Sequence, residues 1–346
     1  MNISVERLAE FAVQALRIAG LNEEDARTTA GVLVMTDSWG VFTHGTKSLR
    51  GYIRRLRGGG LRAAGRPRII AEGPAWATVD GDSAIGMVGA TFAMRAAMAK
   101  ARIAGVGYVG MRNTCHFGAA GYYAAMAAAE GLVGVSMAND TPSVIAPGAR
   151  TAVLGSNPFS FAVPTDGRHP ILLDIATSAV AGGKVYAAAA LGRAIPETWI
   201  VDAEGLPSTD PKIFPQAAAL VPMAGHKGYG LALLIETLSG IVTGASIAAQ
   251  VLSWSFDTAD SPTGHGAAFV AIDVQQMIPG NEFKSRMAEL TRQIRESPRA
   301  KGVDRIYLPG EMEWERRERA LRDGIDLPED VLAPLRLLAQ ELGMEW

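Results

Sequence analysis

Ile103-Ala104-Gly105-Val106-Gly107-Tyr108-Val109-Gly110-Met111 is the stretch that decides the fold. It contains a literal G-x-G-x-x-G at positions 105–110. In the dinucleotide fingerprint a strand precedes the glycines and a helix opens at their end, so that the helix N-terminus faces the pyrophosphate. Here the order is reversed. Phe92, Ala96, Ala99 and Ile103 recur at helical spacing, Gly105 stands where a helix C-cap glycine belongs, and Val106 to Met111 reads as the strand itself. The glycines are therefore read as structural, and any nucleotide has to be held by other residues.

Working outward, strand and helix patterns alternate. Upstream, Ser4 and Asn22 can cap two helices, and the loop Trp39 to Gly45 leads to Leu49, Tyr52, Ile53 and Leu56 at helical spacing. Trp76 to Val79 reads as a strand turning at Asp80-Gly81. Downstream, Leu132 to Ala138, Phe159 to Val163 and Ile171 to Ile175 read as strands, with an Ala-rich helix from Gly118 to Glu130. Helices are expected near Val180 to Leu191, Tyr229 to Val242 and Asn281 to Glu296, strands at Ala268 to Val274 and Arg305 to Leu308, and two helices at the C-terminus. The expected architecture is mixed α/β with a mixed sheet: a helical N-terminal segment on the substrate side (1–70), a cofactor-binding core (71–310) and C-terminal helices packing on the first segment (311–346).

Composition excludes several classes. The 346 residues include 33 Lys plus Arg against 35 Asp plus Glu, and this balance lacks the basic footprint of a nucleic-acid binder. With 48% hydrophobic residues the chain can bury a full core. The single cysteine, Cys115, fits a reducing, cytoplasmic setting, and no Cys/His cluster has zinc spacing, so no metal is expected. Glu6, Arg7 and Glu10 interrupt any signal-peptide core. The longest uncharged run, Thr237 to Phe256, is broken by Gly240, Gly244 and Gln250, so no membrane partner is expected.

Four segments could carry chemistry. His44 in Thr43-His44-Gly45 and His116 in Asn113-Thr114-Cys115-His116-Phe117-Gly118 lie in glycine-flanked loops, where the backbone can pass close to a bound molecule. Histidine titrates near neutrality and can act as acid or base, though each could equally be a packed loop residue. Gly225-His226-Lys227-Gly228 precedes an apolar helix and can form an anion site or a solvated cap. Asp174-Ile175-Ala176-Thr177-Ser178 ends a buried strand ahead of a helix bearing Lys184, the usual place for a ligand in an α/β sheet or simply a cap. Cys115 beside His116 is not read as a nucleophile, because adjacent side chains seldom point at each other.

Together these segments resemble the malate/L-lactate dehydrogenase family, which is distinct from the better-known lactate and malate dehydrogenases. The matching motifs are Asp37 to Gly45, Asn113 with His116-Phe117-Gly118, Gly155-Ser156-Asn157-Pro158, Leu173 to Ser178, Ile195-Pro196, Trp199 to Asp202, Thr209-Asp210-Pro211, Lys227 to Gly230 and Pro309-Gly310-Glu311. The resemblance implies a non-Rossmann, NAD- or NADP-dependent homodimer that moves a hydride between nicotinamide and a 2-oxo or 2-hydroxy acid or a cyclic 2-imino acid. It implies His44 or His116 as acid/base, and Asp140, Asp174 to Ala176, Lys227, Gly310 and Glu311 as dinucleotide contacts. Thr177, Ser178, Lys184, His226 and Gly228 are expected on the cofactor side, and Thr43, Lys47, Ser48 and Asn113 on the substrate side. One position departs from the pattern: Ser48 stands where members place an arginine suited to a substrate carboxylate, and a hydroxyl cannot replace a charged fork. That departure leaves a His-dependent lyase or isomerase, or a binding protein, as the alternative.

Overall fold

The computed structural model describes residues 2–346. Its centre is a seven-stranded mixed sheet in the spatial order Arg68–Glu72, Trp76–Asp80, Val106–Thr114, His265–Ile272, Val133–Ala138, Phe159–Val163, Ile171–Ile175. Val106–Thr114 runs parallel to Trp76–Asp80 and antiparallel to His265–Ile272. The helices Gly86–Ala104 and Ala120–Ala129 cover one face, burying Met94, Ala97, Ala101 and Tyr123 against Val109, Met111 and Phe269. On the other face the helix His226–Glu236, continued by a π-helical turn Thr237–Ile241, packs through Ile235 and Leu238 on Met137, Ala268 and Tyr108.

The 105–110 glycines behave as the helix-then-strand order requires. Gly105 closes its helix with φ +82° and an N–H bond to the Ala101 carbonyl. A Cβ on Gly107 would overlap the carbonyl oxygen of Ala97 in the covering helix, and one on Gly110 would lie 2.7 Å from Thr243 Cγ2 on the opposite face. The run serves close packing on both faces of the sheet, and no helix opens at its end.

A second, five-stranded sheet has the order Pro207–Ser208, Ile200–Asp202, Ala218–Leu220, Val144–Ile145, Ala152–Leu154. It has its own core of Val144, Val180, Val185, Ile200, Phe214 and Leu220. The sequence reading does not contain this sheet, because strands of two or three residues are too short to register a two-residue period. The expected strand Arg305 to Leu308 is not formed; there the Leu308 amide is bound by Glu311, and the Pro309 carbonyl accepts from Leu172. The strand Arg68–Glu72 straddles residue 70, so the sheet begins inside the segment assigned to the N-terminal helices.

The helices Val5–Ile18, Glu23–Ser38 and Leu49–Gly58 pack with Glu311–Asp323 and Glu329–Leu342. Ser4 and Asn22 cap the first two by accepting from Arg7 and Asp25 amides. Ile3 pairs with Ile325, and Leu8, Leu16, Leu33, Leu335 and Leu338 are fully buried together. Among the described residues no helix is long and apolar enough to cross a membrane.

The close approach at Gly107 has a measurable consequence. Gly107→Ala places a methyl group on a helix backbone that cannot yield locally, and is expected to cost about 2–4 kcal/mol of stability in urea unfolding. A loss under about 0.5 kcal/mol, the usual range for a neutral surface change, would mean that the helix is free to move off the strand.

Candidate active site

His44 and His116, 72 positions apart in the chain, face each other with ring centroids 5.4 Å apart. Two loops deliver them. His44 ends the 3-10 turn Phe42–His44, and Asp37 at the end of the Glu23–Ser38 helix holds the next residues: its buried carboxylate accepts from the Thr46 amide (3.0 Å) and the Thr46 hydroxyl (2.6 Å). A Cβ at position 45 would overlap that carboxylate, which explains why glycine follows His44. Burial, opposed by the Thr46 bonds, pushes the Asp37 carboxyl up to about 7. His116 follows the Val106–Thr114 strand, and a Cβ on Gly86 would overlap the carbonyl oxygens of Cys115 and His116, so the start of the covering helix fixes the loop from behind.

Both imidazoles are half-buried and held neutral. Burial lowers His44 against the pull of Asp140, and burial with the neighbouring His44 brings His116 down to about 3. Trp254 stacks on His116 at 4.5 Å and on Tyr52 at 5.1 Å, both at 15°. The loop bearing Trp254 is clamped by Arg55, whose guanidinium is wholly buried and donates to the carbonyls of Trp254 (2.6 Å), Ser253 (2.8 Å) and Ser261 (2.9 Å).

The segments expected on the cofactor side are joined into one strip. Asp140 lies between His265, whose Nε2 is 3.2 Å from Oδ1, and Ser156, whose hydroxyl donates at 3.3 Å. Burial would raise the Asp140 carboxyl, but the hydrogen bond and charge of His265 hold it below the usual range. From Ser156 the strip runs through Thr177, which donates to the Ser156 carbonyl from amide and hydroxyl (both 2.8 Å). It continues to Met223, whose amide donates to the Thr177 carbonyl, and to the helix that starts at His226 with Gly225 at φ +61°. The Gly228 amide closes on the Met223 carbonyl, while His226 and Lys227 are exposed. Asp174 accepts from the Gly121 amide (2.7 Å); part of the residue is open to solvent, yet the protein around its carboxylate raises it to about 6. Gly310, at φ +87°, lies against Leu172 in the same strand. Glu311 is occupied by the Leu308 amide, Arg295 and Arg305. Lys184 is exposed near the start of the Gly182–Ala190 helix, where a Cβ on Gly183 would come within 3.2 Å of Thr43 Cγ2, so cofactor-side and substrate-side segments meet there.

The substrate-side expectations divide. Thr43 is beside the site, its hydroxyl 2.9 Å from His44 Nδ1. Lys47 is instead paired with Asp330 at 2.7 Å, Ser48 donates to the Thr43 carbonyl at 3.1 Å, and the Asn113 amide donates to Asp80 at 3.1 Å. Arg50 is engaged by Glu341. Each of these four polar groups already has a partner within the protein.

Tyr52, Arg55, Trp254 and His265 were not singled out from sequence. Tyr52 reads only as part of the helical face with Leu49, Ile53 and Leu56, and Arg55 carries no local signal. A lone tryptophan in the Ser-rich stretch around Trp254 was the available signal for the loop. His265 had none, since its partner Asp140 is 125 positions away.

The chain matches the model of the malate/L-lactate dehydrogenase family over residues 3–336. It is 37% identical to the malate dehydrogenase of Pyrococcus horikoshii, over 100% of this chain and 96% of that one, whose solved structure superposes with a TM-score of 0.91. It is 35% identical to the L-sulfolactate dehydrogenase of Methanocaldococcus jannaschii, over 99% and 98%, with a TM-score of 0.92 to the solved structure. The Pseudomonas putida Delta(1)-pyrroline-2-carboxylate/Delta(1)-piperideine-2-carboxylate reductase is 34% identical over 92% and 91%. These relatives are named dehydrogenases and reductases, and they set the class as an oxidoreductase. The chain belongs to the malate/L-lactate dehydrogenase family.

The raised Asp37 carboxyl gives a pH signature. The folded protein holds this proton more tightly than the unfolded chain, so the contribution is fully present below about pH 4 and is lost as pH rises towards 7. Asp37→Asn has no such proton. The stability of the wild type relative to Asp37→Asn is therefore expected to fall by roughly 2–4 kcal/mol between about pH 4 and pH 8 in urea titrations. A difference independent of pH would refute the raised carboxyl.

Proposed function

We propose that the protein is an NAD- or NADP-dependent oxidoreductase acting on a 2-oxo or 2-hydroxy acid or a cyclic 2-imino acid, with a histidine of the His44–His116 pair as proton donor and acceptor. The convergence of these two rings from distant loops carries the reading. The strip from Asp140 to Lys227 fits a dinucleotide by its donor set. Lys227 and the helix start at His226 offer positive charge to a pyrophosphate, and the Asp174 carboxylate offers acceptors to a ribose, whereas Thr177 and Ser178 are buried and donate to backbone carbonyls. When bound, nicotinamide supplies or removes the hydride.

The chain's own residues do the rest. The neutral imidazoles hydrogen-bond the reacting oxygen or nitrogen and move its proton. Trp254 walls the cleft with an apolar face and excludes water beside His116. Ser48, with Lys47 and Arg50 both committed to carboxylates, leaves no free arginine fork at the family position. The substrate carboxylate therefore has no arginine partner at this position, and another group has to bind it. We place the enzyme in the cytoplasm as a homodimer, on the single buried Cys115 and the family resemblance.

A screen of 2-oxo acids and cyclic 2-imino acids with NADH and NADPH tests the activity through loss of reduced-cofactor absorbance. With the turned-over substrate, replacing the acid/base histidine by Asn is expected to lower kcat by about 100-fold to 10,000-fold while cofactor affinity holds. Near-wild-type turnover in both His44→Asn and His116→Asn would rule out histidine as the proton carrier. Lys227→Ala is expected to weaken cofactor binding by about 1–3 kcal/mol, the range for a charge-assisted contact, with fluorescence titration as the measurement.

A further inference from the structure

Tyr52 makes a contact with His116 that limits what that histidine can do. The Tyr52 ring is wholly buried on the Leu49–Gly58 helix, and its hydroxyl meets His116 Nδ1 in a short hydrogen bond. The Gly118 N–H is directed at the same ring nitrogen and donates to His116 Nδ1 at 3.4 Å. A phenol has one proton, and a ring nitrogen either donates or accepts. With the Gly118 N–H aimed at Nδ1, a proton on that nitrogen would confront this donor and leave the Tyr52 proton without an acceptor. Every group is satisfied only when Tyr52 O–H donates to Nδ1 and the imidazole proton sits on Nε2. Trp254 locks the arrangement by stacking on both rings, and Arg55 holds the Trp254 backbone in turn.

His44 is bound differently. Its Nδ1 faces the Thr43 hydroxyl at 2.9 Å, and a hydroxyl can donate or accept, so His44 can gain and lose a proton without breaking a contact.

We infer that Tyr52 is a positioning residue that fixes His116 as the Nε2–H tautomer, making His116 a neutral hydrogen-bond donor to the substrate's reacting atom while His44 carries the transferred proton. The assignment rests on the oxidoreductase reading above. In the reductive direction a hydride from the reduced nicotinamide forms the new C–H bond as the C=O or C=N π pair moves to the heteroatom. His44, which takes up a proton from solvent before the step, then loses it: its N–H bond breaks as the heteroatom–H bond forms. His44 ends neutral, His116 is unchanged, and the nicotinamide ends oxidised. Burial keeps the Tyr52 phenol protonated throughout, so it orients and does not transfer.

The full chain labelled with 15N-histidine tests this without a substrate. The His116 signals are assigned by their loss in His116→Gln. In the wild type they are expected to show a protonated Nε2 and an unprotonated, hydrogen-bonded Nδ1 throughout about pH 5 to 9, since His116 is held neutral over that range. Tyr52→Phe, which keeps the ring and its stacking, is expected to move His116 towards mixed tautomers. With a substrate in hand it should lower kcat by about 10-fold to 100-fold with cofactor affinity unchanged, the range for loss of a partner that orients a functional ligand. Trp254→Phe, which also retains a stacking ring, should preserve the wild-type tautomer. A wild-type spectrum with the proton on Nδ1 overturns the inference, as does Tyr52→Phe with unaltered tautomer and kcat. Should Tyr52→Phe fail to fold, the wild-type spectrum decides alone. Failure of the oxidoreductase reading is separate and visible: no substrate turns over, while the spectrum stays as expected.

Discussion

At Gly107 the Gly86–Ala104 helix and the Val106–Thr114 strand meet backbone to backbone, and the site depends on that close approach. Gly107 gives way to the Ala97 carbonyl, Gly89 to the Met111 sulfur, and Gly86 to the Cys115 and His116 carbonyls. A methyl group at any of the three would push helix and strand apart in an interior packed to crystal-like density. Because the last contact is with His116 itself, the packing that orders the sheet also sets where the second histidine stands. The Glu23–Ser38 helix does the same for the first through Asp37, Thr46 and the absent Cβ of Gly45.

Behind the strip, the polar groups are buried as a connected set. Glu236, almost fully buried, accepts from the Asn157 amide (2.9 Å), the Ala248 N–H (2.9 Å) and, at 3.4 Å, the Asn139 amide. Asn157 in turn accepts from the Asp140 N–H at 3.1 Å, and Asn139 from the Gly266 N–H at 2.8 Å, beside His265. A buried carboxylate without a cation is tolerated only when hydrogen bonds replace its water, and here three donors converge on it. The network ties the π-turn helix to the turn at 155–158 and to Asp140, so one side of the cofactor-side strip is held by a continuous set of buried hydrogen bonds.

Several candidate site residues stand out in the sequence because their chemistry is local. A histidine between glycines, a lysine at a helix start and an aspartate at a strand end each announce a function within a few residues, and the structure aligns the cofactor-side segments along one strip. Lys47, Ser48 and Asn113 were read as substrate contacts on the same local grounds, yet Asp330, the Thr43 carbonyl and Asp80 already occupy them. Those partners come from the opposite end of the chain, from the same loop and from a neighbouring strand. Sequence adjacency to a histidine does not say which way a side chain turns, and on the helix that follows His44 successive residues point in different directions.

The sequence by itself determined that no Rossmann site is formed at 105–110, because a helix ending in a glycine cap before a strand is a local pattern written in propensity and periodicity. It also determined the family, through many short motifs in fixed order. The tertiary structure alone decided what is made by distant partners. The five-stranded sheet rests on strands too short to carry a period. The Asp140–His265 pair joins residues far apart in the chain, and the Tyr52–His116–Trp254 stack assembles three separate segments. The proton position on His116 belongs to that second kind: it is fixed by which donors the fold brings to Nδ1, and no feature of the residues flanking His116 specifies Tyr52 as one of them.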